Sequence, residues 1–211
     1  MKKLFMFLCV LSFSSILVNA QKKKSTKNST KPKVEFGVKA GGNFSNFLGK
    51  DASRDFSYKF GYYGGFLVKY SFRERMSLQG EVLYDAMQSN SKERENGNTG
   101  FAEMSYVSVP ILFQYGITDK IYIETGPNIG YNIKSQFTSV TYNNEVVDWK
   151  YGTKKMNFAW ALGGGYNITN NLAANLRANI GAASPFKNIE KRNSEKIRLM
   201  SFELGLTYYF K

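Results

Sequence analysis

Six charged residues of this sequence could do chemistry together if the fold brings them to one place. They are three cations and three acids, namely Lys39, Lys69, Arg177, Glu81, Glu124 and Glu203. A pair of carboxylates can act as general acid and base or pass protons along a path. Three cations beside three acids can instead form a structural cluster, because buried charges persist only when they are paired and hydrogen-bonded. The balance of signs favours the structural interpretation.

Other chemistries lack the residues that they need. The sequence contains no histidine, which excludes Ser-His-Asp and Cys-His catalysis and every histidine metal site. Its single cysteine, Cys9, excludes disulfides and thiolate metal centres. The run Gly163-Gly164-Gly165 is not followed by the helix that a phosphate-binding loop requires. We therefore predict that the protein is not an enzyme and has no catalytic residue, no cofactor and no metal site.

The six charged residues lie in segments that alternate between apolar and polar side chains. In the last segment, Phe202, Leu204 and Leu206 alternate with Glu203 and Gly205. A period of two is that of a β-strand with one apolar and one polar face. Eight such segments cover residues 34–40, 58–71, 76–86, 107–115, 121–133, 156–166, 172–180 and 200–210.

The lengths and connections of these segments indicate a membrane barrel. All eight are longer than the roughly five or six residues usual in soluble sheets, and such lengths suit a tilted membrane crossing. Tight connections near residues 72–75, 116–119 and 169–171 alternate with long polar ones over 44–57, 89–102, 135–153 and 184–196. That alternation is typical of outer-membrane barrels. The predicted fold is all-β: an eight-stranded antiparallel up-and-down transmembrane β-barrel with short periplasmic turns and long extracellular loops.

Aromatic residues near both ends of the predicted strands would form two belts at the bilayer interfaces. The belt near the short turns comprises Tyr70, Phe72, Tyr115, Tyr166, Tyr208 and Phe210. The belt near the long loops comprises Tyr58, Phe60, Tyr106, Tyr131, Phe158 and Trp160. Pro110 and Pro127 fall inside strands, and we expect a β-bulge at each because proline cannot donate to the ladder.

The N-terminal part of the chain differs from the alternating part. Residues 1–20 combine Lys2 and Lys3, an apolar stretch and a small residue, Ala20, which predicts a secretory signal peptide cleaved after Ala20. Residues 21–33 hold six lysines and no acid, which predicts a disordered, Lys-rich periplasmic tail. Residues 34–211 are the predicted barrel. Much of the net charge of +13 therefore comes from outside the barrel.

The polar parity would face the inside of the barrel. Eight strands leave an interior only wide enough for side chains, so we expect the six charged residues to interlock there. In this interpretation Lys69 faces Glu81, and Glu203 lies between Arg177 and Lys39. Two alternatives have the same strand pattern. One is a porin or transporter for small solutes, and the other is a soluble lipocalin-like barrel whose apolar faces line a ligand cavity.

Several segments resemble the PorT-like small outer-membrane β-barrel proteins, often labelled porin family. They are residues 34–43 (VEFGVKAGGN), residues 105–113 (SYVSVPILF), Gly126-Pro127 with Gly130-Tyr131, and residues 204–210 (LGLTYYF). The resemblance implies an eight-stranded barrel, inserted by the barrel assembly machinery through its C-terminal aromatic strand. Founding members of that family are linked to a secretion system, which implies an accessory role in secretion. The family supplies no catalytic residue.

Together these observations predict a non-enzymatic integral protein of the cell outer membrane. It would act as a structural or interaction component of the envelope, with secretion as one process that it could assist. The expected partners are outer-membrane lipid, the assembly machinery, and envelope or secretion proteins that contact the loops and the basic tail. We expect no nucleic-acid partner, because the predicted barrel has no compact basic and aromatic patch.

Overall fold

The computed structural model describes residues 32–48, 54–93, 99–139, 145–148, 153–182, 184–185 and 198–210. These residues form nine strands. They are β1 (Lys33–Leu48), β2 (Arg54–Arg73), β3 (Met76–Glu93), β4 (Thr99–Gly116), β5 (Ile121–Ser139), β6 (Glu145–Asp148), β7 (Met156–Asn167), β8 (Leu172–Gly181) and β9 (Arg198–Tyr209). The predicted signal peptide and most of the predicted tail lie outside the described residues, and the first strand begins at Lys33.

Eight of the nine strands form a closed antiparallel ring, as the sequence predicted. The order around the ring is β1-β2-β3-β4-β5-β7-β8-β9, and β9 pairs again with β1. This seam runs from Gly37 opposite Tyr209 to Leu48 opposite Arg198. The short strand β6 pairs only with the end of β5 among the described strands, so it adds to the ring without belonging to it. Closure matters because a barrel leaves no unpaired strand edge in the lipid.

Three tight turns join β2 to β3, β4 to β5, and β7 to β8, which confirms the predicted short connections. The last two turns share one design. Thr118 and Thr169 each accept hydrogen bonds through the side-chain hydroxyl from two backbone amides further along the turn, at 3.0 to 3.2 Å. Threonine therefore fixes both turns locally, and the end of the barrel that carries the three turns is called the short-turn end below.

At the opposite end, called the long-loop end, several strands are longer than predicted. β2 has 20 residues and β5 has 19, whereas β8 has only 10. Much of the predicted loops 44–57 and 89–102 is therefore strand, and their central residues lie outside the described part of the chain. The prediction was wrong there because serine, asparagine and charged residues continue the strand pairing where the apolar alternation has already stopped.

The distribution of apolar residues is opposite to that of a soluble protein. Phe66 is 70% exposed and Leu204 is 64% exposed, whereas Arg177 and Glu203 are each 1% exposed. Burial of charges under a surface of large apolar side chains is stable only when the outer surface meets lipid. The soluble lipocalin-like interpretation is therefore wrong, because it needs the apolar parity inside. No described residue belongs to a helix that is long and apolar enough to cross a membrane.

The residues of the two predicted aromatic belts face outward with one exception. Eleven of the twelve predicted belt residues are large exposed side chains, and Tyr106 is 1% exposed and faces the interior. Its parity explains the difference, because Tyr106 alternates with the outward Val107 and shares the inward side with Ser108.

The expected bulges at Pro110 and Pro127 were also wrong. The register shifts lie elsewhere, at Tyr58/Tyr62, Ser71/Arg73 and Ser105/Tyr106. Pro110 pairs with Asn128, and the β4–β5 register resumes unchanged at Phe113 opposite Thr125. Proline lacks the backbone N–H group that a ladder hydrogen bond needs. The β4–β5 pairing is interrupted beside the two prolines, and no extra residue is inserted.

Candidate functional site

Arg177 lies at the middle of the interior and organises the charged residues around it. It projects from β8, where its neighbours in the ladder are Gly163 of β7 and Glu203 of β9. A Cβ atom on Gly163 would lie 3.0 Å from the Arg177 Cα, so glycine is the residue that lets β7 and β8 approach here. The Arg177 side chain has no solvent-accessible surface.

The guanidinium of Arg177 crosses the barrel to Glu81 on β3. Its Nη1 and Nη2 atoms donate to the two carboxylate oxygens of Glu81 at 2.8 and 2.7 Å. In the ring order, β3 is four strands from β8 in either direction, so this bidentate pair spans the full width of the interior. Two parallel charge-assisted hydrogen bonds are among the strongest side-chain contacts in proteins.

Two more carboxylates face the same guanidinium. The Nε atom of Arg177 donates to Glu124 Oε1 at 2.8 Å, and Nη1 lies 3.7 Å from Glu203 Oε2. The ammonium of Lys39 lies 3.5 Å from Glu81 Oε1 and 5.8 Å from the centre of the Tyr63 ring. We call Arg177, Glu81, Glu124, Glu203 and Lys39 the charge cluster.

Amide side chains complete the hydrogen bonding of two of the carboxylates. Gln79 Nε2 donates to Glu81 at 2.6 Å, and Gln114 Nε2 donates to Glu124 at 2.9 Å. Gln114 also donates to Gln79 at 3.2 Å, and Gln79 accepts from the Tyr209 hydroxyl at 3.2 Å. Such partners are what a buried ionic group requires to be stable.

The structure thus brings together five of the six predicted residues. Lys69 is the exception: it pairs in the ladder with Gln79, whereas the predicted partner, Glu81, lies opposite Leu67. The ammonium of Lys69 lies over the rings of Tyr122 and Tyr209, at 5.5 and 5.3 Å from their centres. The prediction that Lys69 faces Glu81 was wrong because the ladder register places Lys69 nearer the short-turn end. The prediction that Glu203 lies between Arg177 and Lys39 was half wrong: Glu203 lies opposite Arg177, but across the seam it lies opposite Asn43, and Lys39 lies opposite Thr207.

Sequence reasoning missed one interior charge. Asp85 is completely buried and shares the inward parity of Glu81 on β3, so the alternation was the signal that could have found it. It also missed the supporting amides Gln79, Gln114 and Asn179, whose role depends on contacts between strands. With Asp85 included, the interior has one more acid than the predicted balance of three cations and three acids.

These contacts hold the strands of the barrel together and fill its interior. The charge cluster connects β1, β3, β5, β8 and β9 through ion pairs between two cations and three carboxylates. On the short-turn side, Leu67, Tyr122, Ala173 and Tyr209 form an apolar layer beneath it. Within the described ranges, no three residues among His, Cys, Asp and Glu are grouped closely enough to hold a metal ion.

Comparison with known proteins agrees with this geometry. The sequence model of the outer membrane protein beta-barrel domain family matches residues 19–184. The chain belongs to this family. The match ends before β9, the strand that closes the ring. As a member, the protein is an integral barrel of the outer membrane. No curated protein sequence matches the chain.

Solved structures show the same fold at low sequence identity. One is Ail, the attachment invasion locus protein of Yersinia pestis, solved in complex with the heparin analogue sucrose octasulfate. Its sequence is 14% identical, and the structures match with a TM-score of 0.51. The match covers 84% of this chain and 99% of Ail. Another is Neisserial surface protein A (NspA), 10% identical with a TM-score of 0.55, over 84% and 99%. These findings support a small outer-membrane barrel and do not extend to the narrower PorT-like assignment.

The charge cluster predicts a large effect of replacing Arg177. In Arg177→Met the carboxylates of Glu81 and Glu124 lose their main cation, and breaking a buried pair in this way costs about 3–5 kcal/mol. We expect a clearly lower temperature for the heat-induced shift from the fast to the slow band on a semi-native gel. Lys134→Met is the matched control, because Lys134 is an exposed partner of Glu103 and its loss should cost about 0–1 kcal/mol. An unchanged shift temperature for Arg177→Met would contradict the role of the cluster.

Proposed function

We propose that this protein is a non-enzymatic, non-conducting outer-membrane barrel that acts as a structural or interaction component of the cell envelope. The observation that carries the proposal is the Arg177–Glu81 pair, which joins opposite walls of the ring. A solute would have to break this pair and the contacts of Glu124 and Glu203 to pass. An eight-stranded ring has little further room, whereas open channels occur in barrels of roughly 16 to 18 strands.

The two ends of the barrel supply the surfaces for interaction. The long-loop end, which we place outside the cell, carries the extended strands β2 to β5 and the short strand β6. The short-turn end would face the periplasm, together with the Lys-rich residues 21–33. A basic segment of this kind is attracted to an anionic surface by about 1 kcal/mol per lysine close to that surface.

The resemblance to PorT-like proteins supports a narrower version of the proposal, in which the barrel assists a secretion system. The C-terminal strand supports insertion by the barrel assembly machinery, since β9 ends in Tyr208 and Tyr209, followed by Phe210. Transport of small solutes is the competing function. The position of the charge cluster across the lumen, between the two mouths, argues against it.

The non-conducting claim predicts an electrically silent protein. Purified, folded protein added to planar lipid bilayers should produce no stable channel openings, because the side chains of the charge cluster occupy the lumen. A 16-stranded porin in the same bilayers is the positive control for conduction. Protein that is verified as folded by its gel shift and still gives long-lived openings of constant size would make the porin interpretation the better one.

The interaction claim predicts that crosslinked partners depend on the long-loop end. When the four long connections are replaced by tight turns, the barrel should still insert, but protein partners captured by crosslinking in whole cells should be lost. The matched control is Asp119→Asn with Lys120→Asn, which gives the β4–β5 turn the sequence of the β7–β8 turn and leaves the other end intact. If the loop-exchanged barrel inserts and keeps every partner, the loops are not the interaction surface.

A further inference from the structure

Lys69 is the predicted interior cation that the charge cluster leaves out. It follows Leu67 of the apolar layer by two residues toward the short-turn end, and its ammonium lies over the rings of Tyr122 and Tyr209. Within the described ranges, this ammonium forms no ion pair and donates no hydrogen bond. An ammonium carries three donors, and a half-buried one without an acceptor is costly.

The two carboxylates that act most strongly on Lys69 are already bound to other cations. Glu35 lies directly opposite Lys69 in the β1–β2 ladder, but its Oε1 atom accepts a hydrogen bond from the Lys33 ammonium at 2.7 Å. Glu124 accepts from the Nε atom of Arg177 at 2.8 Å. The described part of the protein therefore gives Lys69 two aromatic rings and no anion of its own.

Lys69 lines a cavity of about 120 Å³ inside the short-turn end of the barrel. This volume is several times what one water molecule needs. The strand residues that line it include Ser71, Ser77, Gln114 and Tyr122, and the turns that join β2 to β3 and β4 to β5 complete its walls. Because these strand residues have the inward parity, the cavity opens to water at the mouth of the ring and not to lipid.

Polar side chains of the cavity lie side by side on its inner wall. Ser71 follows Lys69 on the same face of β2, about 7 Å along the strand. It lies directly opposite Ser77 of β3, and opposite residues have Cβ atoms roughly 4.5–5.5 Å apart. The Ser77 hydroxyl donates to Gln114 Oε1 at 3.3 Å. Among the described residues, the Ser71 hydroxyl has no hydrogen-bond partner, so it can donate into the cavity beside Lys69.

Backbone hydrogen bonds hold the rim of the cavity in place. The Gly116 amide donates to the Arg75 carbonyl oxygen at 2.8 Å, which joins the β2–β3 turn to the end of β4. The Asn167 amide donates to the Lys120 carbonyl oxygen at 2.7 Å, which joins the β4–β5 turn to the end of β7. The cavity is therefore framed by turns that are tied to neighbouring strands.

The charges around the cavity leave Lys69 as its net charge. The charged groups at the rim are the cations Arg73 and Arg75 and the carboxylates Glu74 and Asp119. These four residues are exposed, balance one another in number, and are screened by water and salt. Lys69 is half-buried and lies nearest to the apolar layer. An anion that enters the cavity therefore meets one unpaired positive charge at its inner end.

We propose that this cavity binds one small oxyanion of the size of phosphate, with the Lys69 ammonium as its charged partner and the Ser71 hydroxyl as a second donor. Lysine binds phosphate as a point charge, so a single ammonium with hydroxyl support suits such a ligand. A metal cation is repelled by Lys69, and a neutral solute leaves its charge unpaired. The site goes beyond the proposed function and requires no conduction, because the apolar layer and the charge cluster lie beyond its inner end.

The test uses the folded full-length barrel in micelles of a phosphate-free detergent, with inorganic phosphate as the probe. We expect the phosphorus NMR signal of phosphate to respond saturably, with one site per barrel. The temperature of the gel shift should rise with sodium phosphate but not with NaCl at equal ionic strength. Lys69→Met should bind phosphate about tenfold or more weakly, because it lacks the charged donor. In phosphate-free buffer it should be at least as heat-resistant as the parent, because it removes an ammonium that has no anion.

The matched control is Lys120→Met, which removes a lysine from the β4–β5 turn at the same end but outside the cavity lining. It should bind phosphate like the parent. Lys69→Gln gives the same expectation as Lys69→Met and replaces it if that variant does not fold.

The proposal is overturned if the parent shows no saturable response to phosphate, or if the folded Lys69 variant binds phosphate as the parent does. An equal loss of binding in Lys120→Met, or an equal effect of NaCl, would assign the response to the general charge of this end and would also overturn it.

Discussion

The rest of the interior depends on the buried guanidinium of Arg177. A ring of eight strands in a membrane must present apolar side chains to lipid, so the alternate residues of every strand point inward and bring polar groups with them. Those groups are stable only if they satisfy one another. Arg177 does this from one position on β8, because its planar fork reaches Glu81 on the opposite wall and Glu124 on β5.

In the proposed function, the interior supports the wall of the barrel and does not carry a solute. On the short-turn side, Gln79 and Gln114 donate hydrogen bonds to the carboxylates of Glu81 and Glu124. An apolar layer that includes Tyr122 and Tyr209 lies beneath them. The long-loop side differs, since the buried Oδ1 atoms of Asn43 and Asn128 accept no hydrogen bond from the described residues. The proposed interaction role then rests on the two ends of the barrel.

Much of the fold could be predicted because a strand in a membrane barrel encodes its two faces in the parity of the sequence. The parity of the alternation placed Lys39, Glu81 and Arg177 inside. The short gaps between alternating segments predicted the three tight turns. It could not predict which interior residues meet, since this depends on how neighbouring strands are staggered. Lys69 shows the limit, because the register moves it from Glu81 to the rings of Tyr122 and Tyr209. Strand ends were also missed, because polar residues extend β2 to β5 beyond the apolar alternation.

The most direct test of the central claim is a double-mutant cycle between Arg177 and Glu81, with unfolding free energies measured by urea titration in lipid vesicles. The cycle isolates the interaction between the two side chains from the separate effects of each replacement. If the pair braces the ring, the Arg177→Met, Glu81→Met double variant will be more stable than the sum of the single losses predicts, by about 0.5–3 kcal/mol. If the two losses simply add, Arg177 and Glu81 act independently, and the account of a ring held by its buried charges is wrong.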